Sequence, residues 1–162
     1  MEPKIETIPE KKLIGKRSRM TLSDNRTREL WQSFMPRRKE MQHNISSDLI
    51  SMQVYDQAFD YSTFTLETSF EKWAVIEVTD FDHVPEGMET FILPAGTYAV
   101  FDYKGAASAF DPTFHYIFGT WLPASGYVPD NRPHFEVLGE KYKNDSPDSE
   151  EEIWIPVRLK QH

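Results

Sequence analysis

A glutamate and a tryptophan that alternate at the start of a predicted strand form the pattern best suited to binding chemistry in this sequence. In the run EIWIP at 152–156, strand geometry places Glu152 and Trp154 on one face, while the two isoleucines point to the other. A carboxylate held partly out of water beside an indole ring favours a cation as its partner. The alternative is a surface glutamate, which is what we expect of Glu150 and Glu151.

Aromatic side chains elsewhere in the chain could form the walls of the same groove, where each good cation–π contact adds about 0.5–2 kcal/mol. Tyr98 is the strongest of them, and Glu71 is either the first-half counterpart of Glu152 or a simple surface residue. Core packing is the commoner role of aromatic residues, so the other aromatic positions are weaker candidates. The predicted ligand-binding residues are Glu152, Trp154, Tyr98, Trp73, Glu71, Trp121 and Phe135.

The sequence has none of the motifs that mark the common catalytic and metal sites. It lacks a phosphate loop, a Gly-x-Ser-x-Gly nucleophile motif and a His-Glu-x-x-His zinc motif. The absence of cysteine excludes disulfides, thiolate metal sites and cysteine nucleophiles. The five histidines, at positions 43, 83, 115, 134 and 162, show no close ligand spacing. We therefore expect no metal and no cofactor, and the catalytic residue is unknown unless Glu152 serves as one.

The order strand, helix, strand, strand occurs twice, about eighty residues apart. Residues 23–25 offer cap side chains for the first helix, which Pro36 should end or kink near Met35. Asp111 should cap the second helix, with Pro112 at its first position. The apolar stripes of the two helices contain Leu30, Trp31 and Phe34, and then Phe114, Ile117, Phe118, Trp121 and Leu122. The predicted strands are 11–19, 49–55, 72–79, 97–103, 134–138 and 152–159.

A local match supports a duplication, because a Glu-x-Trp triplet begins the last strand of each half, at 71–73 and at 152–154. The pattern predicts an α+β fold in which tandem duplicated βαββ modules form a curved antiparallel sheet with two main helices on one face. The other face, curved by strand twist, would leave a ligand groove near the join. We expect a single domain over 1–162, with halves of about 1–84 and 89–162.

The net charge of −8 is unevenly distributed along the chain. Residues 1–42 carry eleven Lys and Arg against six Asp and Glu, a balance of +5, whereas residues 43–162 carry seven against twenty, a balance of −13. An acidic body repels phosphate backbones, so we expect no direct nucleic-acid binding. The N-terminus has no apolar run of signal-peptide length, and no stretch is long enough to span a membrane. We expect a cytoplasmic protein without membrane contact.

Four segments of the second half closely resemble the GyrI-like family, the AraC-type effector-binding domains that include those of Rob- and BmrR-type transcription regulators. The first half fits more loosely, and together the matches extend over nearly the whole chain. They leave no room for the DNA-binding helix-turn-helix of such regulators, so the chain resembles a stand-alone member. The matching segments are LPAGTYAVFDYKG (93–105), FHYIFGTWLPASGY (114–127), PHFEVLGEKY (133–142) and EEEIWIPV (150–157), and then LIGKRSRM (13–20), ELWQSF (29–34) and WAVIEV (73–78).

This resemblance implies a pocket near an internal pseudo-twofold axis that binds a small organic molecule. In the drug-sensing relatives a buried glutamate at the head of the last strand faces cationic aromatic ligands, and Glu152 is the matching position here. The leading hypothesis is therefore a binding module for an amphipathic or cationic aromatic compound. Two alternatives follow from the same resemblance: a hydrolase of reactive cyclopropane-bearing compounds that uses Glu152, and a protein-interaction role such as inhibition of DNA gyrase.

Overall fold

Nine strands and two main helical segments make up the computed structural model, which describes residues 1–161. The first helix continues as a 3-10 segment (Met35–Glu40), and the second continues through a π-helical turn (Ile117–Trp121). A 3-10 turn (Ala107–Ala109) precedes the second helix. The helices are α1 (Thr27–Phe34), α2 (Asp111–Tyr116) and α3 (Leu122–Ala124). The strands are β1 (Lys4–Ile8), β2 (Lys11–Met20), β3 (Leu49–Val54), β4 (Phe70–Val78), β5 (Glu89–Leu93), β6 (Gly96–Lys104), β7 (Tyr127–Pro129), β8 (His134–Leu138) and β9 (Glu150–Leu159).

The strand order confirms the predicted tandem βαββ arrangement and the antiparallel sheet. The order is β1-β6-β9-β8-β3-β4-β2-β5, with β7 paired to β9, and the pairings are antiparallel. Each half contributes three strands in the same relative order, and the halves join where β3 pairs with β8. At that join Met52 lies opposite Phe135 and Gln53 lies opposite His134.

The two outermost strands of this sheet, β1 and β5, were not predicted by the sequence pattern. β1 pairs with β6 from Lys4 opposite Val100 onward, and β2 pairs with β5 from Lys11 opposite Leu93 onward. Only two residues separate β1 from β2, so the edges lie next to each other and the sheet is strongly curved. β1 and β5 escaped prediction because their side chains are largely exposed, which removes the alternation that marks a half-buried strand.

Both helical segments pack against one face of the sheet, as the pattern predicted. α1 covers the first half, where Leu30 and Phe34 contact Ile76 and its neighbours. The segment from α2 to α3 covers the second half, where Phe118 packs on Ile155. The opposite, concave face is filled by buried side chains from both halves, and we call this set the inner core. It comprises Ile8, Leu13, Ile50, Met52, Trp73, Val75, Leu93, Tyr98, Val100 and Phe135.

The helix boundaries match the expected signals with two differences. Asn25 Oδ1 accepts a hydrogen bond from the Thr27 amide at 3.0 Å, which satisfies one of the free N–H groups at the start of α1. The α-helix ends before Pro36, but the chain continues as a 3-10 helix. A proline is tolerated in the first turn of that helix. The prediction that Asp111 caps α2 is wrong, since the helix already includes Asp111 and its side chain makes no cap hydrogen bond.

Candidate functional site

A cavity of about 680 Å³ opens on the helix face, between the two helical segments and above the join of the two halves. This volume lies within the range of about 300–1,000 Å³ that is typical of small-molecule sites. We call it the helix-face pocket. Its floor is formed by β3, β4, β8 and β9, and its walls are formed by α2 and the connection between β3 and β4. The aromatic residues whose rings lie on the pocket side of the sheet are Tyr55, Tyr61, Phe64, Phe70, Phe110, Phe114 and Phe118.

The walls of the pocket are a continuous set of aromatic rings. Phe59 is buried behind these walls, with its ring centroid 4.6 Å from that of Phe118 and 5.0 Å from those of Phe64 and Tyr55. Phe114 continues the set at 5.0 Å from Phe118. Tilted and edge contacts at these distances hold the rings in place. The pocket therefore offers flat, fixed apolar surfaces to a guest.

The floor of the pocket is polar because the strands that form it place hydrophilic side chains on this face. Directly paired residues of neighbouring strands point to the same side of a sheet. Gln53 on β3 pairs with Lys72 on β4 and with His134 on β8, and its Nε2 donates to Glu136 Oε2 at 3.0 Å. Glu136 in turn pairs with Ile153 on β9, next to Glu151. Three strands thus bring Gln53, Lys72 and Glu136 to the bottom of an aromatic cavity, and Glu151 on a fourth strand lies beside Glu136.

The charged groups on the floor perturb one another. Burial, together with the neighbouring Glu136 carboxylate, raises the pKa of Glu151 to about 7, and Lys72 partly offsets this effect. Burial lowers the pKa of Lys72, although both glutamates act in the opposite direction. A carboxyl group that titrates near neutrality is one that a bound cation would readily bring to its charged form.

His134 adds a neutral polar group to the pocket wall. Its side chain is 4% exposed, and burial lowers its pKa to about 3, so the imidazole is uncharged at neutral pH. The Nε2 atom has no hydrogen-bond partner among residues 1–161. Burial also raises the pKa of the Tyr55 hydroxyl, which keeps it protonated. Both groups are available for hydrogen bonds that do not depend on charge.

The residues predicted from the sequence are only partly brought together at this pocket. Phe135 and Trp154 border the pocket only where β8 and β9 pass beneath it, because their rings stack at 5.2 Å on the concave face with the inner core. Tyr98 belongs to the inner core, with its ring 5.8 Å from Trp154 and its hydroxyl donating to the Pro133 carbonyl at 3.3 Å. Glu152 is half-buried beside Trp154, whose Nε1 donates to Glu152 Oε1 at 3.2 Å. The alternation along β9 turns Glu152 away from the helix-face pocket, so a ligand role for it stays a prediction.

The first half repeats this arrangement on the same concave face. Trp73 Nε1 donates to Glu71 Oε1 at 3.2 Å, which is the same contact at the same distance as in the second half. Glu71 also pairs with the Arg17 guanidinium at 2.7 Å, so its charge already has a partner. Trp121 lies apart from both pairs, at the far end of the α2 segment, where it packs edge-on against Phe101.

Two expectations about the site need correction. The groove expected on the face opposite the helices is occupied by the inner core, and the helix-face pocket lies on the other side of the sheet. Glu151, expected on the surface, is half-buried next to Glu136, whereas Glu150 is exposed as expected. The missed site had a signal in the sequence. The connection between β3 and β4 carries several aromatic residues in a polar segment, where a plain loop needs none.

We expect Glu151→Gln to gain stability relative to the wild type as the pH rises from about 5 to about 8. The Glu151 carboxyl has its pKa raised from 4.5 to about 7 in the folded state, so folding favours the protonated form. Its stabilising contribution is fully present below the unfolded pKa and is lost as the pH rises through about 7. Differential scanning calorimetry of the wild type and Glu151→Gln checks this. The midpoint of the variant relative to that of the wild type should rise through this range, and parallel profiles would contradict the assignment.

Within residues 1–161, no group of three or more His, Asp or Glu side chains is arranged to hold a metal ion, and His162 lies outside the described residues. No helix in the same range is both long enough and apolar enough to cross a membrane.

Comparisons with known proteins find relatives that bind small molecules or regulate transcription. A model of the GyrI-like small molecule binding domain matches residues 1–158. The transcriptional regulator BrlR of Pseudomonas aeruginosa is 30% identical over 132 residues, which is 80% of this chain and 45% of the relative. A DNA gyrase inhibitor of Erwinia billingiae is 40% identical over 85 residues, 49% of this chain and 52% of that protein. The chain therefore spans about half the length of these curated relatives.

Among solved structures, SAV2435 bound to tetraphenylphosphonium has a TM-score of 0.68 at 14% identity, with 98% of this chain and 94% of that chain covered. A likeness at this level of identity concerns the fold, in which the same tandem arrangement of strands and helices recurs.

Proposed function

The chain belongs to the GyrI-like small molecule binding domain family, and from that premise we propose that its helix-face pocket captures an aromatic compound that carries a positive charge. The observation that carries the proposal is the placement of Glu136 at the floor of a cavity whose walls are aromatic, with the Glu151 carboxyl close enough to interact with it electrostatically. The aromatic walls favour a ligand with flat apolar rings, and the carboxylates favour a ligand with a positive charge. Regulators with related sensor domains supply the biological context, in which the bound compound is a signal.

Charge and desolvation together favour a cation over a neutral guest. Two glutamates and one lysine leave the floor with a net negative charge when all three are ionised. In a cavity that excludes much of the water, such a charge interacts more strongly with a guest than it would at the surface. Each ring that faces the cation adds about 0.5–2 kcal/mol. The net charge of −8 on the whole chain also raises the local concentration of cations.

Tetraphenylphosphonium is the natural first probe, because a protein of the same fold binds it. We expect saturating tetraphenylphosphonium to raise the unfolding midpoint by several degrees, since a ligand at about 100 times its Kd stabilises the native state by about 2.7 kcal/mol. Each kcal/mol corresponds to about 2–4 °C for a chain of this size. A thermal-shift titration, with isothermal titration calorimetry for the Kd, measures the effect.

Tetraphenylborate is the matched control, because it has nearly the same shape and the opposite charge. We expect it to stabilise the protein far less than tetraphenylphosphonium does. Equal stabilisation by the two ions would show that shape alone decides binding, and the role of the carboxylates would be lost. Absence of binding by both ions would remove the proposed ligand class.

Interaction with DNA gyrase is a second candidate function, favoured by the 40% identity over 85 residues to a DNA gyrase inhibitor. An acidic body that mimics DNA would be one way to engage that enzyme. A supercoiling assay with purified gyrase and increasing amounts of the chain tests it directly. Undiminished supercoiling at a large molar excess of the chain would set this function aside and leave the ligand-binding proposal untouched.

A further inference from the structure

The helix-face pocket contains an ammonium group as well as carboxylates. Lys72 is one of its lining residues, and among residues 1–161 its Nζ takes part in no ion pair within 4.0 Å and in no side-chain hydrogen bond. Several other cations of residues 1–161 have a carboxylate partner, whether near the surface, as Lys11 has Glu77 at 3.3 Å, or largely buried, as Arg132 has Asp130 at 2.7 Å. Lys72 is therefore a cation that faces a cavity without a direct partner.

A purely structural role does not explain a lysine at this position. The other β4 residues on the helix face are apolar, namely Phe70, Ala74, Ile76 and Val78. Withdrawing an ammonium group from water costs free energy, and a close ion pair is the usual compensation. Lys72 incurs part of this cost without such a pair, so an apolar residue would suit the folded chain better. A bound ligand with an anionic group would supply the close ion pair that the Lys72 ammonium lacks.

Resting on the function proposed above, we propose that the ligand is a zwitterionic aromatic compound, with its amine held by Glu136 and Glu151 and its carboxylate held by Lys72. The sheet fixes the distance between the two ends of such a molecule. Lys72 and Glu136 project from strands two places apart, β4 and β8, with β3 between them. Neighbouring strands lie about 4.8 Å apart, and Glu136 lies two residues along β8 from the position opposite Gln53 and Lys72, so the two attachment points are separated by roughly 12 Å. The aromatic body of the ligand then lies above Gln53, between the aromatic walls.

Rhodamine B and its ethyl ester form a matched pair of probes for this proposal. Both share one cationic aromatic body, but the free dye carries a carboxylate that the ester lacks. Fluorescence anisotropy gives the Kd of each with the full chain at neutral pH. We expect rhodamine B to bind at least about five-fold more tightly than the ester, because only the free carboxylate reaches an ammonium partner.

Lys72→Met makes the test specific, because it keeps an unbranched side chain and removes only the charge. We expect the variant to bind rhodamine B about ten-fold more weakly and the ester a few-fold more tightly, since the ammonium attracts the carboxylate of the first and repels the cation of the second. Partial unfolding cannot move the two affinities in opposite directions. Equal affinities in the native protein, or changes of the same sign in the variant, would overturn the zwitterion proposal.

These measurements distinguish failure of the zwitterion proposal from failure of the proposed function on which it rests. If both dyes and tetraphenylphosphonium bind but Lys72→Met alters them alike, the pocket binds cationic aromatic compounds and the lysine does not select a carboxylate. If neither dye binds and tetraphenylphosphonium also fails, the proposed function itself is wrong.

Discussion

Replacing Glu136 and Glu151 together with glutamine is expected to weaken tetraphenylphosphonium binding about 10- to 100-fold. Hydrogen bonds and contacts that involve a charged group contribute about 1.5–3 kcal/mol, and each 1.4 kcal/mol is a factor of ten in Kd. Both residues must be changed, because Glu136 helps to keep the Glu151 carboxyl protonated. Loss of one carboxylate lets the other ionise more fully and take over part of its role. Isothermal titration calorimetry at neutral pH gives the two Kd values.

Residues 150–152 provide the controls for this experiment within one strand. Glu150 is exposed, Glu151 lies on the helix face beside Glu136, and Glu152 lies on the opposite face against Trp154. Glu150→Gln should leave the Kd within about two-fold, since exposed charges contribute little. Glu152→Gln compares the pocket with the site predicted from the sequence. The opposite result would place the ligand on the concave face. In that case Glu152→Gln would weaken binding strongly, and the double substitution would have no effect.

The sequence predicted the faces of individual strands well, but not the place where the protein leaves a cavity. Alternation along β9 correctly put Ile153, Ile155 and Val157 in the core beneath the helices. The location of the cavity depends on the curvature of the sheet, and this curvature depends on the ladder that pairs Lys11 with Leu93. Those residues are far apart in the sequence, and Leu93 ends the short strand β5, which has little hydrophobic pattern. No local signal specifies that pairing.

The charged floor of the pocket escaped prediction for a related reason. Lys72, Glu136 and Glu151 come from three strands that are distant in the sequence, and each has the appearance of an ordinary surface residue in its own segment. Their proximity follows only from the register across the β3–β8 join, where Gln53 lies between Lys72 and His134. The Glu-x-Trp repeat, in contrast, is local, and it correctly indicated two equivalent contacts. Local repeats thus revealed the duplication, whereas the candidate site required the tertiary structure.

Substituting alanine for Gly15 is expected to destabilise the fold by about 3 kcal/mol or more, because the new methyl group would overlap strand β4. A Cβ at this position would collide with the Ala74 carbonyl oxygen and lie 2.8 Å from Val75 Cα. These are backbone atoms, which cannot rotate away as a flexible side chain would. Gly15 also lies where β2 pairs with β4 and β5 at once, opposite Val75 and Glu89, so the strands cannot separate there without opening the ladder that curves the sheet.

Gly126→Ala is the matched control, since a Cβ there has no neighbour within 4 Å. It should leave the unfolding midpoint nearly unchanged or raise it slightly, because alanine restricts the unfolded chain. For Gly15→Ala, the midpoint should fall by at least about 6 °C, at about 2–4 °C per kcal/mol. The loss should extend to ligand binding, because the pocket floor belongs to the same curved sheet. A Gly15→Ala protein with wild-type stability would mean that β2 does not approach β4 this closely, and that the sheet is curved by other contacts.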